Sequence, residues 1–231
     1  MKLTAQAIER APTVVAPGGY SMLELRGQQI PYIENLAATR DMYEVIDLVD
    51  NELTVVENIP QLKKLKGLLL SNNRISRVEQ SIAENVPNLE WLALAGNHIR
   101  LLGSLVGLEG CKKLEELTLT GNAVVADPEY RIFLAWLLPS LRVIDFEKVK
   151  QSERDEGVQI YGQLYHERTS AATTAMERIS IDLRRDEVGK SEQNGQNDDI
   201  EKIEVTEDKP LDDKERARLV KELENAQSLQ E

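Results

Sequence analysis

Apolar positions over residues 20–125 do not follow one helical or strand periodicity. They fall into a longer frame that recurs. Leu65, Leu68, Leu70, Asn73 and Ile75 stand at the spacing L-x-x-L-x-L-x-x-N-x-I. The same spacing holds Tyr43, Ile46, Leu48, Asn51 and Leu53, then Leu89, Leu92, Leu94, Asn97 and Ile99, then Leu114, Leu117, Leu119, Asn122 and Val124. A degenerate first copy, Tyr20, Leu23, Leu25, Gln28 and Ile30, carries glutamine where the others carry asparagine. The marker residues 28, 51, 73, 97 and 122 are 23, 22, 24 and 25 residues apart. The alternation at the centre of the frame predicts a short strand with its leucines on one face.

A period in the twenties with this consensus is the leucine-rich repeat. It predicts an α/β leucine-rich repeat solenoid of about five repeats plus a C-terminal cap, with a short parallel sheet on the concave face and helices and loops on the convex face. One repeat cannot bury its leucines alone, so each must stack on its neighbours. Asn51, Asn73, Asn97 and Asn122 are expected to form a buried structural ladder, because a carboxamide both donates and accepts and can pair the backbone groups left open where each strand turns out. The third, fifth and seventh positions of the frame point away from the leucines. A purely solvated face would not need Met22, Val45, Val49, Leu69 and Trp91 there. The concave partner-binding site is therefore expected at Met22, Glu24, Arg26, Val45, Asp47, Val49, Leu69, Trp91, Ala93, Ala95 and Thr118, with Glu24 and Asp47 as an acidic edge. Trp91 is read as an exposed interface anchor.

The flanks read as caps. Residues 1–19 form an N-terminal segment in which Thr4 caps a short helix over 5–10, and the stretch from Ala11 to Gly19 breaks it. After Asn122, the apolar run from Tyr130 to Leu138 predicts a helix stopped by Pro139. Leu141, Ile144 and Phe146 complete a last half-repeat, and Trp136 is read as core. The repeat domain with its cap is placed at 20–165, and a helix over 153–168 is anchored by Val158, Ile160, Tyr161 and Leu164. Residues 166–231 read as an acidic, largely disordered tail with a helix near 212–227.

Charge sharpens this division. Residues 1–150 carry 16 Lys/Arg and 19 Asp/Glu, a net of −3, and residues 151–231 carry 12 and 21, a net of −9, which together give the −12 of the chain. Cys111 is the one cysteine, so no internal disulfide forms and a reducing compartment fits. No apolar run has the length of a membrane span and no secretory signal is visible, which points to a soluble intracellular protein without a membrane partner. The histidines, His98 and His166, are too few for a histidine-rich metal site, and no phosphate loop or nucleophile elbow occurs. Neither catalysis nor a metal or cofactor is expected. Lys63-Lys64 and Lys112-Lys113 precede Leu65 and Leu114 at equivalent places, which puts them on one rim, either facing RNA phosphates or merely solvated. Binding of RNA by the chain alone is expected to be weak, because the folded part is slightly acidic and lacks exposed aromatic platforms.

Three segments carry a resemblance. LRGQQIPYIENL (25–36), YRIFLAWLLPSLRVIDF (130–146) and EKVKQSER (147–154) together resemble the A-prime proteins of the U2 small nuclear ribonucleoprotein, over about residues 1–155. The resemblance implies a non-enzymatic, nuclear, spliceosomal scaffold. It implies that the concave face takes a helix of an RNA-recognition-motif partner of the B-double-prime type, that the pair binds a stem-loop of U2 small nuclear RNA, and that other spliceosomal proteins are further partners. Acidic nuclear phosphoproteins and phosphatase-regulatory leucine-rich repeat adaptors share the layout and are the alternative readings.

Overall fold

The computed structural model describes residues 2–164 and 167–177. The disorder and the helix expected beyond residue 177 lie outside the described residues.

Short strands follow one another at the predicted positions. β2 (Ser21–Glu24), β3 (Val45–Asp47), β5 (Gly67–Leu69), β7 (Trp91–Ala93) and β8 (Glu116–Thr118) are parallel neighbours. The register aligns Leu23, Ile46, Leu68, Leu92 and Leu117 in one row, and every member of that row is at most 1% exposed. A second row, Leu25, Leu48, Leu70, Leu94 and Leu119, is fully buried beside it. The core is thus a stack of leucine layers running the length of the solenoid, and each layer is sealed by the next. On the convex side β4 (Val55–Val56) and β6 (Arg77–Val78) make a small second parallel sheet. Beside it lie α2 (Ile82–Asn85) and a 3₁₀ helix over Leu102–Leu108. All seven of those 3₁₀ residues are buried. Gly107 explains the close approach: a Cβ on it would stand 2.1 Å from the Val78 carbonyl oxygen.

The asparagine ladder is built as expected. Asn73 donates to the carbonyls of Leu48 and Leu70 at 3.0 and 2.9 Å and accepts from the Leu53 amide at 3.0 Å. Asn97 does the same with Leu70, Leu94 and Ile75, and Asn122 with Leu94, Leu119 and Ile99. Asn51 closes the series against Leu25, Leu48, Gln28 and Ile30. Each carboxamide therefore ties its own turn to the preceding repeat. Asn73→Ala strands the buried Leu53 amide and takes one of the two asparagine donors from each of the Leu48 and Leu70 carbonyls, and it is expected to cost about 1–3 kcal/mol in urea or thermal unfolding. Unfolding identical to the parent would contradict the ladder.

Both ends carry antiparallel strands that the frame did not announce. β1 (Thr13–Val15) pairs with β2; it follows α1 (Ala5–Arg10), which Thr4 caps by accepting from the Ala7 amide. At the other end β9 (Val143–Ile144) pairs in parallel with β8 and in antiparallel fashion with β10 (Glu147–Lys148). Asp145 and Phe146 join β9 to β10 with positive φ of 50° and 68°, a two-residue turn suited to the twist of a hairpin. Asp145 accepts from the amides of Leu119 and Thr120 at 2.6 and 3.0 Å, finishing the sheet where the asparagine ladder ends. It also accepts from the Tyr130 hydroxyl at 2.6 Å. Burial, followed by this bond, pushes the Tyr130 phenol up. Phe146 does not pack into the last half-repeat as expected. The left-handed turn directs it outward, and it is 80% exposed.

The cap is sealed by α3 (Tyr130–Leu137) against α4 (Gln151–Tyr161). Phe133, Trp136 and Tyr161 meet with ring centroids 5.0–5.9 Å apart. The Trp136 indole donates to the Gly162 carbonyl at 2.8 Å. Trp136 is core, as read from the sequence, and Tyr161 anchors the second helix; that helix ends at Tyr161, before Gly162 with its φ of 80°, rather than running to 168, so Leu164 is buried in the turn that follows it. Val158, expected as a further anchor, is 50% exposed. Ala172 and Ala175, on helical residues 170–177 that the sequence reading placed in the tail, join the core.

Candidate partner-binding face

The outward side of the eight-stranded sheet is a trough. Strands of about three residues make it ~10 Å wide, and eight strands make it ~34 Å long. The register confirms which residues share its rows. Met22, Val45, Gly67, Trp91, Glu116 and Val143 align in one row, and Glu24, Asp47, Leu69, Ala93 and Thr118 in the next. Val14, opposite Met22 on β1, extends the first row by one strand. The Pro17-Gly18-Gly19 run, expected only to break the first helix, forms the turn of that hairpin, closed by the Ala16 amide donating to the Tyr20 carbonyl at 2.8 Å.

Within the rows, exposure is uneven. Met22, Glu24, Leu69, Trp91, Ala93, Ala95 and Thr118 are half-buried and reach the trough. Val45 and Val49, counted with them from sequence, are 2% and 8% exposed. An aromatic pair explains the first. Tyr20 and Trp91 belong to repeats three strands apart, yet their rings lie 5.1 Å apart at 57°. The two side chains lean toward each other over the intervening strands, those of Val45 and Gly67. Gly67 makes room: a Cβ there would fall 1.9 Å from the Trp91 indole nitrogen. The Lys66 ammonium caps the pair 4.9 Å from the centre of the Tyr20 ring. Trp91 is thus half-buried in a cluster rather than free. Trp91→Ala is expected to weaken a partner and also to lower the melting temperature modestly, because the aromatic contact contributes about 0.5–1.5 kcal/mol beyond area burial. An unaltered melting curve would show that the pair adds nothing to folding.

Asp47 is the second correction. It is 3% exposed and engaged on both carboxylate oxygens. Arg26 reaches one oxygen at 3.1–3.2 Å, and the Val49 amide donates to the other at 2.9 Å. Arg26 itself remains exposed. The pair is internally neutral, so the acidic character of this edge falls to Glu24.

The lysine rim divides. Lys63, Lys64 and Lys113 line one groove of about 410 Å³, together with Lys66, Met42, Asn88, Glu44 and Glu90. Lys113 donates to the Asn88 side chain at 2.6 Å, and Asn88 donates to the Lys63 carbonyl at 2.7 Å. Lys66 pairs with Glu44 at 3.2 Å, and that hydrogen bond raises its pKa. Sequence reasoning missed Lys66, since it sits at the second position of the frame rather than before it. Lys112 is not in this groove; it borders a separate depression beside Gly110, Cys111 and Pro139. Exposed aromatic rings do exist, contrary to expectation: Phe146 at 80% and Tyr32 at 55%.

The described residues hold no group of three or more His, Cys, Asp or Glu side chains that could hold a metal ion. Burial pushes the Cys111 thiol up to about 12, so it stays protonated at neutral pH and is a poor nucleophile. His98 is exposed, just after a ladder asparagine.

A repeating scaffold of stacked leucine layers with an apolar trough on its sheet defines a leucine-rich repeat protein, and residues 1–174 match the leucine-rich repeat family. The U2 small nuclear ribonucleoprotein A' of Schizosaccharomyces pombe is 38% identical over 164 residues, covering 71% of this chain and 69% of the relative. That of Debaryomyces hansenii is 36% identical over 233 residues, covering 100% of this chain and 94% of the relative. The crystal structure of the Drosophila melanogaster SNF/U2A' complex contains a chain 39% identical, with a TM-score of 0.69, covering 77% of this chain and 99% of that one. The chain belongs to the U2 small nuclear ribonucleoprotein A' family.

Proposed function

We propose that this protein is a non-enzymatic scaffold of the nuclear spliceosome. Its concave face binds an RNA-recognition-motif protein of the B-double-prime type and so supports that protein's binding to a stem-loop of U2 small nuclear RNA during pre-mRNA splicing. The observation that carries this reading is the match to the U2A' chain solved in complex with SNF, over 99% of that chain. The trough supports it physically. Its width suits one helix, about 10–12 Å across with side chains, and its floor of Met22, Leu69, Trp91 and Ala93 offers apolar contact of the kind found at interface centres.

The lysine groove is the candidate RNA-facing element, with Lys63, Lys64 and Lys113 as the contacting groups and Lys112 apart from them. Glu44 and Glu90 share the groove, so its field is weak without a partner, and the isolated chain binds RNA weakly for that reason rather than for want of aromatic rings. Affinity purification of the full chain, followed by mass spectrometry and RNA sequencing, tests the reading. Recovery of an RNA-recognition-motif protein with U2 small nuclear RNA is the expected result. Recovery of histones or a phosphatase in their place would overturn it in favour of the other repeat adaptors.

A further inference from the structure

Most charge on the concave face is already spent within the protein. Asp47 is neutralised by Arg26, and Asp145 is held by two amides and the Tyr130 hydroxyl. Two carboxylates are left over. Glu24 and Glu116 project from the outward rows, half-buried and exposed respectively, and among the described residues neither joins an ion pair or accepts a hydrogen bond. They bracket the apolar stretch formed by Leu69, Trp91 and Ala93, with Glu24 on β2 and Glu116 on β8. Four strand spacings separate them, or ~19 Å. A helix lying along the trough covers that distance in ~13 residues.

We infer that the occupant of the concave face is an amphipathic helix with a cationic side chain near each end, about 13 residues apart, one meeting Glu24 and the other Glu116. The inference rests on the concave reading of the function and specifies the chemistry of its partner. Two like charges at the ends of an apolar strip select a partner by the sign of the charge at its ends. A helix with neutral or acidic ends leaves both carboxylates desolvated without a counter-charge, which costs binding and rejects such partners. A helix with basic ends gains association rate as well, because the uncompensated carboxylates attract it before contact.

The test uses the RNA-recognition-motif protein that co-purifies with the full chain. Its dissociation constant is measured against the parent, the pair Glu24→Gln/Glu116→Gln, and the reversals Glu24→Lys and Glu116→Lys. Each reversal is expected to weaken binding about tenfold and the double reversal about a hundredfold. The Gln pair should flatten the salt dependence of association. Since neither carboxylate has a partner among the described residues, melting temperatures should stay close to the parent. Should a reversal unfold the chain, the Gln pair and its salt dependence decide alone. Parental affinity and salt dependence in these variants would overturn the inference. Ala93→Arg separates the two failures: if it weakens binding while the charge variants do not, the concave reading stands and the charge pairing falls; if neither weakens binding, the concave reading falls.

Discussion

Trp136→Ala is expected to remove about 3–5 kcal/mol of folding stability, the range for losing a buried tryptophan. The ring is 3% exposed and packs on Phe133 and Tyr161. Its indole N–H is the donor to the Gly162 carbonyl, which helps dock the end of α4. Gly157 lies so close that a Cβ on it would stand 2.7 Å from the Trp136 Cβ, so the helices cannot slide together to fill the cavity without a clash. The loss spreads beyond the cap. A solenoid is stabilised by neighbour-to-neighbour stacking, and an unsealed last repeat exposes the next leucine layer. Urea unfolding at equilibrium checks this. A change below about 1 kcal/mol, the size of an ordinary substitution, would mean that α3 and α4 do not fold with the repeats. Trp136→Phe keeps most of the contact and should cost far less.

Ala93→Arg is expected to leave folding nearly intact and to weaken the RNA-recognition-motif partner at least ~100-fold, close to 2.8 kcal/mol. Ala93 stands at the centre of the trough, between Leu69 on β5 and Thr118 on β8. Its side chain leaves the sheet away from the leucine core, and an arginine there extends into open space in the free protein. A bound helix would occupy that space, so the long cation clashes with its apolar face and is buried there without a counter-charge. Calorimetric melting and titration on the same preparation separate the two effects. A melting temperature far below the parent would show that the trough is not open in the free protein.

What could be read from the sequence follows from what a repeat encodes locally. The asparagine spacing specifies hydrogen bonds between a turn and the repeat before it, so the ladder and the strand register were both legible. The frame also assigned the rows of the concave face correctly. It could not say how a side chain leans once it leaves the sheet. The Tyr20–Trp91 pair depends on the missing Cβ of Gly67, 24 positions before Trp91, and on two rings reaching across strands. Asp47 sits in an outward row, yet Arg26 of the preceding repeat folds over it. Phe146 was misread because an apolar residue at a leucine position normally points inward. Two consecutive left-handed residues reverse that direction, and nothing in an apolar pattern signals a reversal of the backbone. The edge strands β1 and β10 were missed because each is too short to show an alternation of its own.

The concave face is proposed as the partner site, and Trp91 reports on that face directly. In a Trp136→Phe background Trp91 is the only tryptophan of the chain. Its emission, followed while a tryptophan-free RNA-recognition-motif protein is titrated in, is the most direct measurement. A saturable blue shift reaching its end point at one partner per chain is predicted, as the half-exposed indole loses its remaining water. Binding that calorimetry detects while the Trp91 emission stays unchanged would place the partner elsewhere on the protein and contradict the account.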